Sequence, residues 1–179
     1  MIEQLIIFVE GTTDELFIRE VFNDELLRIC HNYTIFKYSK RKKEKVIQYI
    51  TTIKKIKNWD YIFIADQDGD LNKKNNVISK YNNLEEKNVF ISIYEIESWI
   101  IAGISEKILK KHKINYNCTD TSIITKEKFI NIIPKTMDKF EFISYILNDY
   151  DLENAVKFNE SLNVFSQYLY NKKQAKDCF

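Results

Sequence analysis

The sequence has 179 residues and contains few that break regular structure, namely three glycines and one proline. Cysteine is also scarce, because only Cys30, Cys118 and Cys178 occur, far apart and without a C-x-x-C pair. Such spacing excludes a disulfide framework and a zinc site as leading interpretations, and it is typical of reduced thiols in a cytoplasmic protein. Two histidines leave a histidine-based metal site or triad poorly supported.

Long apolar runs are missing as well, since no segment approaches the ~18 consecutive apolar residues of a membrane span. The first ten residues have no basic segment before their apolar run, so we expect no signal peptide. Lys and Arg total 27 against 26 Asp and Glu, and the formal net charge is +1. This balance neither requires nor excludes nucleic acid, because a local patch matters more than the sum.

The composition is that of a globular protein, with 45% hydrophobic and 14% aromatic residues. The length is sufficient for one domain with a real core. Because no segment has the composition of a linker, we predict a single domain over residues 1–179. Its core, residues 1–104, carries the acidic motifs, and a helical extension over residues 105–179 packs on that core.

Four segments rich in apolar and β-branched residues predict strands, at residues 5–9, 33–38, 61–65 and 89–93. Helical patterns follow three of them, over residues 12–30, 46–56 and 94–101, and continue through the last third. Residues 73–87, after the third strand, are polar and are also predicted to be helical. Thr12 and Glu15 have the spacing of a capping box. The alternation predicts an α/β fold with a roughly four-stranded parallel sheet, helices on its faces and a helical C-terminal third.

Acidic residues follow three of the four predicted strands. Glu10 follows the first strand, and a pair follows the fourth, Glu95 and Glu97. The third strand runs into D-Q-D-G-D, which contains Asp66, Asp68 and Asp70. Sites in parallel sheets lie beyond the carboxyl ends of strands, so these acids converge if the strands are neighbours. Converging carboxylates suit a hard divalent cation such as Mg²⁺, which in turn suits phosphodiester hydrolysis.

Other interpretations of these residues remain open. Acids in a first helical turn, such as Asp14, favour the helix dipole without any ligand, and D-Q-D-G-D has the composition of a polar turn. An EF-hand loop starting at Asp66 fails, because Leu71 stands where Gly is needed and Val77 where Glu is needed. The same stretch also fits a phosphatase of the haloacid-dehalogenase type, with Asp66 as nucleophile and Asp68 as acid and base.

The order of the motifs resembles the Toprim domain, which topoisomerases, bacterial primases and OLD-family nucleases share. The first strand ends in F-V-E-G-T-T-D and a later one in A-D-Q-D. Together with E-I-E-S-W-I at residues 95–100, they are similar to the OLD-like branch and its small stand-alone relatives. The segment N-E-S-L-N-V-F-S-Q-Y-L, residues 159–169, is similar to the closing helix of those small proteins.

The resemblance implies a Rossmann-like parallel sheet and a nuclease that cleaves DNA or RNA with one or two Mg²⁺ or Mn²⁺ ions. It implies catalytic roles for Glu10, Asp66 and Asp68, metal ligation by these three with Asp14 and Glu97, and supporting roles for Asp70 and Glu95. A water held at this site would attack the phosphodiester. By analogy it implies a role in phage defence or repair. The alternative is a non-catalytic Toprim module that acts with a separately encoded ATPase.

Basic residues follow the second predicted strand, in the segment K-Y-S-K-R-K-K-E-K. If that strand is parallel to the others, the segment leaves the same edge of the sheet as the acids. We therefore expect phosphate contacts from Lys40, Arg41, Lys42 and Lys43, although a solvated helix start explains them equally well. Lys157 is a further candidate, because it stands before the closing helix and suits a phosphate in the transition state.

Overall fold

The computed structural model of the protein describes residues 2–114, 116 and 119–177. Within these residues the chain forms four strands, β1 (Ile2–Val9), β2 (Cys30–Lys37), β3 (Trp59–Asp66) and β4 (Val89–Ser92). All neighbouring strands are parallel, in the order β2-β1-β3-β4. The predicted α/β fold with a four-stranded parallel sheet is confirmed.

Helices follow each strand. The first four are α1 (Thr12–Ile29), α2 (Lys43–Ile53), α3 (Lys73–Tyr81) and α4 (Glu97–Ala102). The C-terminal part is helical as predicted, with α5 (Glu106–Lys111), α6 (Lys126–Ile132), α7 (Lys139–Leu147), α8 (Leu152–Phe158) and α9 (Glu160–Asp177). Three of the predicted helices are too long: α2 ends before Ile56, α3 ends at Tyr81, and α4 begins only at Glu97. In the part of the chain that the structure describes, no helix combines the length and apolar character needed to cross a membrane.

Strand β1 is buried on both of its faces, which explains its continuous apolar run. Leu5, Ile7 and Val9 belong to one core with α1 and the C-terminal helices. Ile6 and Phe8 belong to a second core with α2 and α3. The central strand is therefore fixed from both sides, and so is the residue that follows it. Cys30 is buried and its thiol donates to the Leu26 carbonyl at 3.1 Å, whereas Cys118 and Cys178 lie outside the described residues.

The start of α1 differs from the predicted capping box. Gly11 is the N-cap residue, and its N–H donates to Asp14 Oδ2 at 3.1 Å. Glu15 instead forms ion pairs with Arg19 and Lys37, at 3.1 and 2.5 Å. The prediction of a Thr12–Glu15 capping box was wrong, because the helix begins one residue earlier than that motif requires. The carboxylate that closes the cap is Asp14.

A buried polar network holds the C-terminal helices against α4. Asn159 is only 1% exposed, and its amide donates to Thr121 Oγ1 at 3.0 Å and to the Ser98 carbonyl at 3.3 Å. Its carbonyl oxygen accepts from the Leu162 N–H and from Ser161 Oγ, at 3.0 and 2.9 Å. This network fixes α4, which carries Glu97.

Replacing Asn159 with alanine removes both halves of the amide and leaves several buried partners without hydrogen bonds. We expect Asn159→Ala to lower the free energy of unfolding by about 3 kcal/mol, because each orphaned buried polar group costs roughly 1–3 kcal/mol. Urea denaturation followed by circular dichroism measures this loss. The matched control is Asn171→Ala, at an exposed position of α9, which should change the stability little.

Candidate functional site

The strands that carry the acidic residues are neighbours in the sheet. Strand β1 lies between β2 and β3, so the chain turns to opposite sides of β1 in consecutive connections. Parallel sheets bind ligands at such a switch point, beyond the carboxyl ends of the strands. Glu10 is the first residue after β1, and Asp66 is the last residue of β3. The predicted convergence of these two acids is therefore built into the strand order.

A pocket of about 250 Å³ opens at this edge of the sheet. Four of the predicted ligands, Glu10, Asp14, Asp66 and Glu97, line it, together with the supporting acid Glu95. The remaining lining residues come from Gly11 and the start of α1, the β2–α2 loop, the β4–α4 loop and the starts of α6 and α7: Gly11, Thr12, Thr13, Ser39, Ile96, Lys126 and Lys139. The structure thus gathers five acids from three strand ends around one small cavity.

Asp14 is the most deeply buried of the acids on α1, with 4% of its surface exposed. One oxygen, Oδ2, accepts from the Gly11 N–H. The other, Oδ1, has no hydrogen-bond partner among the described residues. Burial raises the pKa of this carboxyl to about 6, and the negative charges of Glu10 and Glu97 raise it as well. A buried carboxylate oxygen without a partner is costly unless a proton or a cation reaches it.

Asp66 has the strongest pKa shift among the acids of the pocket. Burial raises the pKa of its carboxyl to about 8, and the charges of Asp14, Glu10 and Glu97 add to the rise. The hydroxyl of Ser92, at the end of β4, opposes this shift by donating to Asp66 Oδ1 at 2.5 Å. Carboxylates this close in a desolvated pocket cannot all stay ionised without a counter-charge.

Glu10 is oriented by two residues at the end of β2. The hydroxyl of Tyr38 donates to Glu10 Oε1 at 2.9 Å, and Ser39 Oγ donates to the Glu10 carbonyl. Burial and the adjacent Glu10 charge raise the pKa of Tyr38 above its usual range. Tyr38 therefore stays protonated and holds one oxygen of Glu10 in place.

The stretch D-Q-D-G-D forms a tight turn as well as a strand end. The Asp70 N–H donates to the Gln67 carbonyl at 2.9 Å, and the two residues between them have positive φ, 52° at Asp68 and 74° at Gly69. This is the pattern of a type I′ turn, which glycine and aspartate favour. Asp70 caps the following segment, because its carboxylate accepts from the Asn72 N–H and from Asn76 Nδ2.

Asp68 lies outside the pocket lining. Its side chain is 52% exposed and forms an ion pair with Lys73 at 2.5 Å. Burial opposes the charged form of Lys73, but Asp68 and the charges of Glu10 and Asp66 raise its pKa above the usual value. Lys73 thus links Asp68 electrostatically to the acids of the pocket.

The loop after β4 brings two further lysines to the site. Glu97 is buried, and its Oε1 accepts from Lys139 Nζ of α7 at 2.5 Å. Glu95 Oε2 accepts from the Lys126 N–H at 2.5 Å. Burial raises the pKa of the Glu95 carboxyl, and the charge of Glu97 adds to the rise. The backbone of this loop is tied to the β3 turn, because the Asp68 N–H donates to the Tyr94 carbonyl at 3.0 Å.

The predicted basic residues lie in two places. Lys40, Arg41, Lys42 and Lys43 are exposed after β2, and this strand is parallel to β1, so they leave the same edge as the acids. Lys157 is exposed in the last turn of α8 and lies outside the lining of the acidic pocket.

Sequence reasoning missed the lysines that balance these acids, Lys73 and Lys139. Lys139 is 42 residues from Glu97 and lies in a helix whose docking the sequence does not reveal. Lys73 lies in a polar segment whose spacing carries no chemical signal. The role of Tyr38 could have been inferred, because it ends a predicted strand next to the one that precedes Glu10.

The donor set of the pocket suits a hard divalent cation, since it consists of carboxylate oxygens and includes the unpartnered Asp14 Oδ1. Across residues 2–114, 116 and 119–177, however, no three Asp, Glu, His or Cys side chains stand together as a ready-made metal site. Two of the predicted ligands, Asp68 and Glu97, hold lysines instead. Glu10, Asp14 and Asp66 are therefore the residues that fit a cation without breaking an ion pair.

Comparison of the chain with protein-family models, with curated proteins and with solved structures finds no match.

The raised pKa of Asp66 predicts how the stability of the metal-free protein depends on pH. The folded state holds a proton on Asp66 up to about pH 8, whereas the unfolded chain loses it near 3.8. The folded state therefore binds more protons between these values, and stability falls as pH rises through this window. We expect the melting temperature to fall by at least roughly 2–4 °C from pH 5 to pH 8.5. For a chain of this size, such a fall corresponds to a loss of about 1 kcal/mol in the free energy of unfolding.

The variant Asp66→Asn should flatten this dependence, because an amide cannot lose the proton in question. Glu20→Gln, at an exposed position of α1, is the control and should keep the wild-type slope. The measurement is the melting temperature of the wild type and both variants, in EDTA, across this pH range. A wild-type melting temperature that rises toward pH 8.5 would contradict the proposed burial of Asp66 among like charges.

Proposed function

We propose that this protein is a hydrolase that uses Mg²⁺ or Mn²⁺ to cleave phosphodiester bonds in DNA or RNA. The observation that carries the proposal is the convergence of Glu10, Asp14 and Asp66 at the switch point of the sheet, with a buried Asp14 oxygen that lacks a partner among the described residues. The resemblance to the Toprim domain and its OLD-like branch supports the same activity. It also motivates the proposal of a cytoplasmic role in phage defence or repair.

In this proposal Glu10, Asp14 and Asp66 hold the cation through their carboxylate oxygens. When bound, the cation supplies a positive centre for the phosphate oxygens and for the attacking water. Glu97 binds Lys139 through Oε1 and Asp68 binds Lys73 through Oδ2, so each could join the ligands through its other oxygen or by releasing its lysine. A released lysine would be available to neutralise a phosphate group.

The protein residues contribute three further functions. Tyr38 orients Glu10 through its hydroxyl, which limits the positions that the carboxylate adopts. Asp66, with a pKa raised to about 8 in the cation-free site, releases a proton when its carboxylate binds the cation, which makes the occupancy of the site depend on pH. Lys126 and Lys139 line the same cavity and favour the approach of an anionic substrate.

The presence of Glu10 and the buried Asp14 in the lining of the pocket favours a nuclease over the phosphatase alternative. A D-x-D-G phosphatase needs Asp66 and Asp68 to face one substrate, but Asp68 is half exposed and paired with Lys73. It also gives no role to Glu10 or to the unpartnered oxygen of Asp14. The other alternative, a module that acts with a separately encoded ATPase, predicts an intact site that is inactive until the partner is added.

Removal of either central carboxylate should abolish cleavage while leaving the fold intact. We expect Glu10→Gln and Asp66→Asn to lower kcat on DNA or RNA by roughly 10²- to 10⁴-fold, because each removes a charged group that acts on the reacting phosphate. The measurement is cleavage of labelled single-stranded and duplex DNA and RNA with Mg²⁺ or Mn²⁺, with EDTA as the blank.

Glu20→Gln is the matched control, because it removes an exposed carboxylate of α1 that lies outside the pocket. It should cleave at the wild-type rate. Full activity of Glu10→Gln would contradict the proposal. Release of phosphate from phosphomonoesters, with a covalent phosphate on Asp66, would replace it with the phosphatase mechanism.

A further inference from the structure

A second groove, with a volume of about 450 Å³, lies between α2 and the end of edge strand β2. Its lining consists of Phe36, Arg41, Lys45, Gln48, Tyr49 and Thr52. Four of these residues belong to α2 and are spaced so that they share one face of the helix. The groove therefore presents one face of α2 together with Phe36 of β2.

Two aromatic rings form the floor of this groove. Phe36 and Tyr49 meet edge to face, with ring centroids 5.1 Å apart, and both remain partly exposed. Tyr49 also packs on Phe8 of the core, at 5.7 Å, so its ring is held rigidly from below. The guanidinium of Arg41 lies 5.7 Å from the centre of the Phe36 ring. Rings held in this way offer faces on which unpaired bases stack.

The charge around the rings is strongly positive. Residues 40–45 contain five lysines and arginines and a single acid, Glu44. Arg41 and Lys45 from this segment line the groove itself, and both are exposed. Gln48 and Thr52 add groups that can donate or accept hydrogen bonds at base edges. The cations complement the phosphates of a nucleic-acid strand, and the aromatic faces complement its bases.

The segment between β2 and α2 links the groove to the acidic pocket. The Arg41 N–H donates to the Tyr38 carbonyl at 3.0 Å, and the hydroxyl of Tyr38 reaches Glu10. Ser39 lines the acidic pocket and also contacts Glu10. Only one residue, Lys40, separates this serine from Arg41 of the groove.

We propose that this groove binds single-stranded nucleic acid and delivers it to the acidic pocket. An unpaired base stacks on the Phe36–Tyr49 floor, and the flanking phosphates contact Arg41 and Lys45. A duplex cannot reach this floor, because its bases are already paired and stacked on one another. The inference rests on the proposed function, since it assigns the substrate class of that same site.

The test measures binding apart from cleavage, by fluorescence anisotropy in EDTA with a labelled 12-nucleotide single strand and a duplex of the same sequence. We expect the single strand to bind at least tenfold more tightly. The double variant Arg41→Ala, Lys45→Ala should weaken it and reduce the slope of log K against log salt by about 1.4, at roughly 0.7 per lost phosphate contact. The control is Lys55→Ala with Lys57→Ala, exposed beyond the far end of α2.

Tyr49→Leu keeps an apolar side chain against Phe8 but removes the aromatic face, and it should weaken single-strand binding roughly tenfold, as expected for the loss of one stacked base. Gln48→Glu provides a second variant that does not depend on core packing, because Gln48 is exposed. Its added negative charge inside the groove should also weaken binding, whereas Glu20→Gln should not.

Three results would overturn this inference. The first is equal affinity for single strand and duplex, and the second is wild-type affinity in the Tyr49→Leu and Arg41→Ala, Lys45→Ala variants. The third is displacement by heparin without any effect of Tyr49→Leu, which would reduce the groove to a general polyanion surface. If these variants still cleave nucleic acid at the wild-type rate, the proposed nuclease activity stands, but the groove does not deliver its substrate. Tight single-strand binding without cleavage supports the groove and contradicts the nuclease.

Discussion

The parallel pairing of β1 with β3 places the end of one acidic strand beside the end of another, and the site depends on it. Residues Ile6–Phe8 of β1 pair with residues Tyr61–Phe63 of β3, and the two strands then run on to Glu10 and Asp66. The apolar residues of β1 are buried in two separate cores, one on each face of the sheet. A slip of this register by one residue would exchange the two cores, so packing fixes the distance between the acids.

The second constraint is the balance of charge at this edge. Five acids line one small pocket, and the chain offers Lys139 and Lys126 on one side and Lys73 at the rim. Lys139 pairs with Glu97 and Lys73 with Asp68, but the pKa values of Asp14 and Asp66 stay raised, to about 6 and about 8. Without a cation, protons on these carboxyls compensate for the crowded negative charge, and a divalent cation can take their place; this is the physical reason for proposing one.

The sequence alone was sufficient for the parallel sheet and for the convergence of Glu10, Asp66 and Glu97, because strand ends follow directly from apolar runs. The sequence did not predict the lysines that pair with these acids, because the contact of Lys139 with Glu97 depends on how a distant helix packs. The capping box at Thr12 was predicted wrongly, since Asp14 closes the cap with Gly11. Asp68 was grouped with the pocket acids, yet the turn at Asp68 and Gly69 directs that residue toward Lys73. Turn geometry decided its position.

The most direct test of the central claim is calorimetric titration of Mn²⁺ into the wild type, Glu10→Gln and Asp66→Asn at pH 7, in buffers of different ionisation enthalpy. The account predicts saturable binding that releases a proton from the site, because Asp66 with its raised pKa of about 8 must lose its proton to bind the cation. Both variants should lose this binding, whereas Glu20→Gln should keep it. Unchanged binding and proton release in Glu10→Gln would contradict the claim that the ends of β1 and β3 form one site.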